Sequence, residues 1–338
     1  MTEKEKSQWQ ALFLYCDRLK VDGLRNIAIF CRGCLISLLL LVSLNQIKAQ
    51  SPDVITENIR FDNAGVSLAG TIYTPRHSQA AVVLVHGSDQ APRMSAFASL
   101  LSEEGISVLT YDKRGVGESG GIYAGPEVGA NNVDPDNLTL LAEDANAAVN
   151  ILHQRDKNIP VGLVGFSQAG WIIPIAANKN VLVDFMVLFS GSMVPTLEQL
   201  RFQFFTEGKP DFWESHTEAE AREHIRSDAD RYQFANTDPY DALSTLSIPG
   251  LWLFGGKDVQ VPAGLSIDRL NALKAQGKPY EYCLFSTLGH NTAFSDSTEP
   301  VNIAVHWIKD RKHYMKSKTD NSRKERQNIP ADAGLIKY

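Results

Sequence analysis

The sequence predicts an α/β fold, a mostly parallel eight-stranded sheet flanked by helices, with a small helical cap inserted after the sixth strand. Three observations carry that expectation. Short β-rich runs alternate with helical patterns, as they do in chains built from βα units. Runs such as Ala81–Val85 are continuously apolar, which suits strands covered on both faces. The run Val161–Val164 passes through Gly165-Phe166-Ser167-Gln168-Ala169-Gly170 straight into a helix-compatible stretch, giving a strand–turn–helix junction.

The first two strands, Asn58–Phe61 and Val66–Tyr73, flank the turn Asp62-Asn63-Ala64-Gly65 and read as an antiparallel hairpin at the sheet edge. Ala81–Val85, Ile106–Thr110, Val161–Val164, Val183–Phe189, Leu251–Phe254 and Tyr280–Phe285 complete the set. Leu138, Leu141, Ala145, Ala148 and Leu152 have the spacing of one helix face, and Val301–Lys309 reads as the last helix. The interval Thr196–Ser247 is too long for a simple crossover. It holds a capping-box pattern, Thr217-Glu218-Ala219-Glu220, and a concentration of aromatic residues. We read 196–247 as a helical cap whose Phe205 and Trp213 contact substrate; the alternative is that these rings anchor the insert.

The main domain spans 53–312, bounded by a leader over 1–50 and a basic, polar tail over 313–338 that reads as disordered. In the leader an apolar run, Leu35–Leu44, follows Arg25 and Arg32 and precedes Ala49-Gln50-Ser51, which is the order of a signal peptide. Its long charged start, Met1–Asn26, is unusual and suggests a translation start nearer Val21 or Leu24. An uncleaved anchor over Ile27–Leu44 is the rival reading, at the expense of burying Arg32. Export leaves Cys283 as the single cysteine of the mature chain, so no internal disulfide is expected. Composition is that of a globular protein, and a net charge of −6 argues against nucleic acid as the main partner.

The junction at Ser167 has the mechanics of a nucleophile elbow. A tight turn projects the serine hydroxyl above the sheet, and Gly165, Ala169 and Gly170 are small enough to let neighbouring elements close in. A serine needs a base to take its proton, and the base needs an orienting acid. Strand six ends in Ser190-Gly191-Ser192, without a carboxylate, whereas strand seven ends in Gly255-Gly256-Lys257-Asp258. After strand eight comes Gly289-His290. The expected catalytic set is therefore Ser167, Asp258 and His290, each beyond the C-terminal end of a strand. The backbone N–H groups of Ser88, from Val85-His86-Gly87-Ser88-Asp89, and of Gln168 are the expected oxyanion donors. His86 reads as a loop-former.

Together these residues resemble the α/β-hydrolase superfamily over about 58–312, nearest in flavour to exported esterases and serine-aminopeptidase-like hydrolases. Asp112-Lys113-Arg114-Gly115-Val116-Gly117-Glu118-Ser119 is similar to that family's D-x-R-G-x-G-x-S loop, where the resemblance implies a structural role for Arg114. The expected activity is hydrolysis of carboxylic esters through an acyl-enzyme, with a small-molecule acyl substrate, no metal and no cofactor. Peptidase or thioesterase activity is the alternative, since one triad serves all three bonds, and a non-catalytic binding protein is a further one. Glu198, Glu207, Glu214 and Glu218 would greet a substrate amine, or simply form a solvated helix face.

Overall fold

The structure, a computed structural model, describes residues 53–123, 133–231 and 233–311. The leader and the basic tail lie outside the described residues, and the expectation of export lies there with them. Strands β1 (Val54–Asn63), β2 (Val66–Pro75), β3 (Ala80–Val85), β4 (Ile106–Tyr111), β5 (Val161–Phe166), β6 (Phe185–Phe189), β7 (Gly250–Gly255) and β8 (Tyr280–Phe285) form one eight-stranded sheet in the order β1-β2-β4-β3-β5-β6-β7-β8. From β4 through β8 all neighbours are parallel; β2 runs antiparallel to both β1 and β4. This is the mostly parallel sheet that the sequence predicts.

The hairpin is longer than its apolar pattern suggests. Its register runs from Asn63↔Val66 out to Val54↔Pro75, because pairing is made by backbone groups and β1 is a largely exposed edge strand. Ala64 (φ 50°) and Gly65 (φ 74°) both take the left-handed conformation that a two-residue hairpin turn requires. Strand β6 starts at Phe185, not Val183, since Asp184 is spent on β5: its N–H donates to Val161 O (2.7 Å) and its Oδ2 accepts from Val161 N (2.9 Å).

Strands β3 to β7 are buried along their whole length, and alternate residues feed two cores. Val83, Val85 and Leu163 face helices α2 (Asn137–Arg155) and α3 (Ala169–Lys179), while Val82, Leu84 and Val164 pack with α1 (Ser95–Glu103) and a C-terminal helix over 299–311. The interval 196–247 holds α4 (Thr196–Thr206), α5 (Phe212–Ser215), α6 (Glu218–Ser227) and α7 (Pro239–Thr245). The capping box of α6 forms: Thr217 Oγ1 accepts from Glu220 N and the Glu220 carboxylate accepts from Thr217 N. The first three of these helices share a small core of Phe202, Ala221 and Ile225. Helix α7 is different, for Leu243 enters the main core and its carbonyl accepts the Tyr280 hydroxyl (2.7 Å). Helix α8 (Ala263–Ala275) then carries the chain from β7 to β8.

Candidate active site

Ser167 follows the last residue of β5 and has φ 51°, a left-handed conformation that side chains other than glycine rarely adopt. Its N–H donates to Phe189 O of the neighbouring strand (3.1 Å), and Gly170 N–H donates back to Ser167 O (2.9 Å), so the turn is closed on both sides. Helix α3 starts hard against the exit of β6. A Cβ at Gly170 would lie 2.3 Å from Ser192 N, which only glycine avoids. Ala169, standing where a second motif glycine would be, is fully buried and fits.

Asp258 and His290 lie on the loops that leave β7 and β8. The carboxylate is buried; its Oδ2 accepts from His290 Nδ1 (2.8 Å), and its Oδ1 accepts from the backbone N–H groups of Gln260 (2.7 Å) and Val261 (2.9 Å). The loops are interlocked. Lys257 N–H donates to Leu288 O (2.8 Å), and a Cβ at Gly255 would fall 2.1 Å from Gly289 O. Thr292 Oγ1 donates to Leu253 O (3.1 Å), tying the histidine loop to the end of β7.

Ser167 and His290 line one cavity of about 440 Å³, with Phe166, Phe189 and Phe294 as its aromatic wall. Among the described residues the Ser167 hydroxyl makes no hydrogen bond, so its contact with the imidazole is not yet closed; catalytic hydrogen bonds often tighten only in the substrate complex. The Ser88 and Gln168 N–H groups are likewise unengaged by any described residue, and both residues lie beside Ser167 on a second, smaller pocket.

Two residues that the sequence did not single out hold the Ser88 loop in place. Lys113 Nζ donates to Gly87 O (2.5 Å), and the Tyr123 hydroxyl donates to Ser88 O. His86 is buried, with Nε2–H donating to Tyr111 O (2.6 Å). Burial pushes its pKa down to about 4 against the opposing effect of that hydrogen bond, so it is neutral and structural. Arg114 pairs with buried Asp144 and donates to Asn63 O (3.2 Å), which fastens the loop after β4 to α2 and the hairpin turn.

Phe205 and Trp213 are placed elsewhere than the sequence suggests, packed on the cap's own core and not lining either pocket at Ser167. Phe205 stacks on His224 (3.7 Å between centroids) and meets Phe212 edge-on; Trp213 Nε1–H donates to Asp258 O (2.9 Å). The reason is the turn of α4, which aims Phe202 and Phe205 into the cap and sets Thr196, Gln199 and Gln203 on the pocket beside Ser167. A spacing of three and four residues reveals such a face in the sequence, but not the direction in which it points. Of the cap carboxylates, Glu207 pairs with Lys209 (2.6 Å) and Glu218 with Arg222 (2.9 Å); neither they nor Glu198 and Glu214 line the pockets.

The strand order and the elbow define the α/β-hydrolase fold, and comparison with known proteins agrees. The sequence profile of the family described as serine aminopeptidase, S33, matches residues 76–240. The esterase Pf2001 of Pyrococcus furiosus is similar in structure, with a TM-score of 0.54 and 16% identity over 76% of this chain and 90% of that one. So is the α/β hydrolase GrgF from a Penicillium species, with a TM-score of 0.53 and 16% identity over 76% of this chain and 99% of that one. The acylaminoacyl peptidase of Pyrococcus horikoshii matches with a TM-score of 0.53 and 14% identity over 82% of this chain but 43% of its own. No curated protein sequence matches the chain. The fold is thus that of the α/β hydrolases.

Proposed function

We propose that this chain hydrolyses carboxylic esters through an acyl-enzyme formed on Ser167. The observation that carries the reading is His290, paired with buried Asp258, on the same cavity as a serine held in left-handed backbone. His290 takes the hydroxyl proton as Ser167 Oγ bonds to the ester carbonyl carbon, and the electron pair displaced onto the carbonyl oxygen is held by the Ser88 and Gln168 N–H groups. Collapse breaks the bond to the alkoxy group, which leaves with the proton from His290. Water, deprotonated by His290, then adds to the acyl carbon; collapse breaks the bond to Oγ, which takes that proton back from His290, and the acid leaves. Asp258 holds the imidazole with Nδ1 protonated, so that Nε2 is the basic nitrogen.

Amide cleavage is a second reading, favoured by the match to the serine aminopeptidase profile. Asp89, exposed on the rim of the larger cavity, is the carboxylate that would meet a substrate ammonium there. A fluorophosphonate should label Ser167, and Ser167→Ala should neither label nor turn over substrate, with a loss on the order of 10⁶ in kcat. Retention of a tenth of the activity by folded Ser167→Ala overturns the mechanism; turnover of aminoacyl amides with ester activity at background selects the second reading. The leader reading adds that the enzyme works outside the cytoplasm, beginning at Gln50 or Ser51. Intact-mass measurement on exported protein tests this, and a chain retaining Met1 refutes it.

A further inference from the structure

We propose that the smaller pocket beside Ser167 receives the acyl part of the substrate, and that this acyl part is short, uncharged and carries a hydroxyl or carboxamide. The proposal rests on the ester-hydrolase reading and narrows it. Thr196, Gln199, Leu200 and Gln203 recur at positions i, i+3, i+4 and i+7 of α4 and form one wall of the pocket; Gln168 and Phe234 contribute to the rest. A helix face turned inward over an active site is ordinarily apolar, and this one carries glutamines.

Gln168 and Gln199 are only 4% and 3% exposed, and the Oε1 of each has no hydrogen-bond partner. A buried amide oxygen without a donor destabilises the protein, and a leucine of similar size would remove that penalty. Both glutamines line the same pocket. A substrate hydroxyl or carboxamide would meet amide side chains on that wall. Among the described residues no charged side chain lines the pocket, so an ionised group would lose its hydration there without gaining a partner from them.

Geometry assigns this pocket to the acyl side. His290 must reach the leaving oxygen to protonate it, and His290 lines the larger cavity, not the smaller. The alcohol therefore extends along the Phe166, Phe189 and Phe294 wall, and the acyl chain turns under the cap. The two volumes, about 440 Å³ and about 50 Å³, then set a roomy leaving-group site against an acyl site for only a few non-hydrogen atoms.

The test compares ethyl 3-hydroxypropanoate with ethyl butanoate, which differ by a hydroxyl in place of a methyl. Wild-type protein should prefer the hydroxy ester by about tenfold or more in kcat/KM, the scale of one buried hydrogen bond. Gln199→Leu should erase or invert that ratio while its melting temperature holds or rises; Gln199→Met serves if leucine disturbs the packing. Equal turnover of the two esters, a preference that survives both variants, or labelling of Ser167 with neither ester cleaved overturns the acyl assignment and leaves the serine-hydrolase reading standing. If fluorophosphonate labelling and all ester turnover both fail, the underlying reading falls and takes this inference with it.

Discussion

Ser167, Asp258 and His290 stand on loops rooted in the parallel strands β5, β7 and β8, of which the first two are buried along their whole length. The residues facing Ser167 from the other side stand on a cap with a small core of its own, in which Phe202, Phe212, Ala221 and Ile225 are buried. On the sheet side each loop end is fixed by strand hydrogen bonds and by contacts as close as that of Gly255 with Gly289. On the cap side the helices are held mainly by one another. The difference separates two tasks: the sheet fixes the geometry of bond-making, and the cap, apart from the few side chains that bond the Asp258 loop, shapes what is admitted. Substitutions on the sheet side should therefore change rate, and those on the cap side selection or cap opening.

Asp258→Asn is the most severe way to test the sheet half of that contrast. The N–H groups of Gln260 and Val261 bind Oδ1 and will hold the amide oxygen there, so the new NH₂ must point at His290 Nδ1. Nδ1 then becomes an acceptor, Nε2 keeps its proton, and the base is lost. A fall on the order of 10⁴ in kcat is expected with an unchanged fold. A loss of less than tenfold, with the melting curve intact, would mean that Asp258 does not orient the base.

His86 predicts how the sheet side responds to acid. The unfolded chain protonates this residue below its ordinary pKa of 6.5, whereas the buried imidazole resists until about 4. Between those values the unfolded state binds more protons, so the contribution of His86 is complete above pH 6.5 and is lost as pH falls towards 4. The loss amounts to on the order of 3 kcal/mol. Denaturant unfolding of wild-type and His86→Gln at pH 7 and 4.5 measures it: the variant should lose markedly less stability between the two. Equal losses would show that His86 is not the group concerned.

The contrast between the two regions also explains what was legible in the sequence. Ser167, Asp258 and His290 could be found because each sits just past an apolar run with small or turn-forming residues, so strand order alone gives their place. The N-terminal extent of β1 could not be found, since Thr56 and Glu57 carry no apolar alternation and pair with β2 through their backbone. The cap was legible as an insert but not in its orientation. In Thr196-Leu197-Glu198-Gln199-Leu200-Arg201-Phe202-Gln203-Phe204-Phe205 the sequence marks Phe205 as the substrate contact and passes over Gln199 and Gln203. Tertiary packing reverses this, because Phe202 and Phe205 have α5 to bury against.

Phe205→Ala examines the cap half. The ring stacks on His224 and packs against Phe212, both within the cap, so its loss should weaken the cap by roughly 2 kcal/mol and hardly touch the main core. Limited proteolysis within 196–236 should quicken by about thirtyfold while the main melting transition moves little. A uniform fall in melting temperature without preferential cleavage there would show that cap and sheet unfold as one.

The smallest effect is expected where the two regions meet. Three cap side chains bond three consecutive carbonyls of the loop that carries the acid: Trp213 Nε1–H to Asp258 O (2.9 Å), Thr206 Oγ1–H to Val259 O (2.6 Å) and Gln203 Nε2–H to Gln260 O (3.2 Å). The cap thus steadies the Asp258 loop without contributing to the chemistry. Trp213→Phe keeps a ring against Phe202 and Phe212 but deletes the donor, so Asp258 should sample poorer alignments with His290. We expect kcat to fall roughly three- to tenfold, the worth of one hydrogen bond, with KM for a small ester within twofold. Thr206→Val should do the same through Val259, and the double variant should fall further, because the two bonds act on one loop. A substrate-contacting tryptophan would behave in the opposite way, raising KM for bulky esters while sparing kcat for small ones. That pattern would return Trp213 to the pocket wall, and the division between a sheet that governs rate and a cap that governs selection would then hold without any bridge between them.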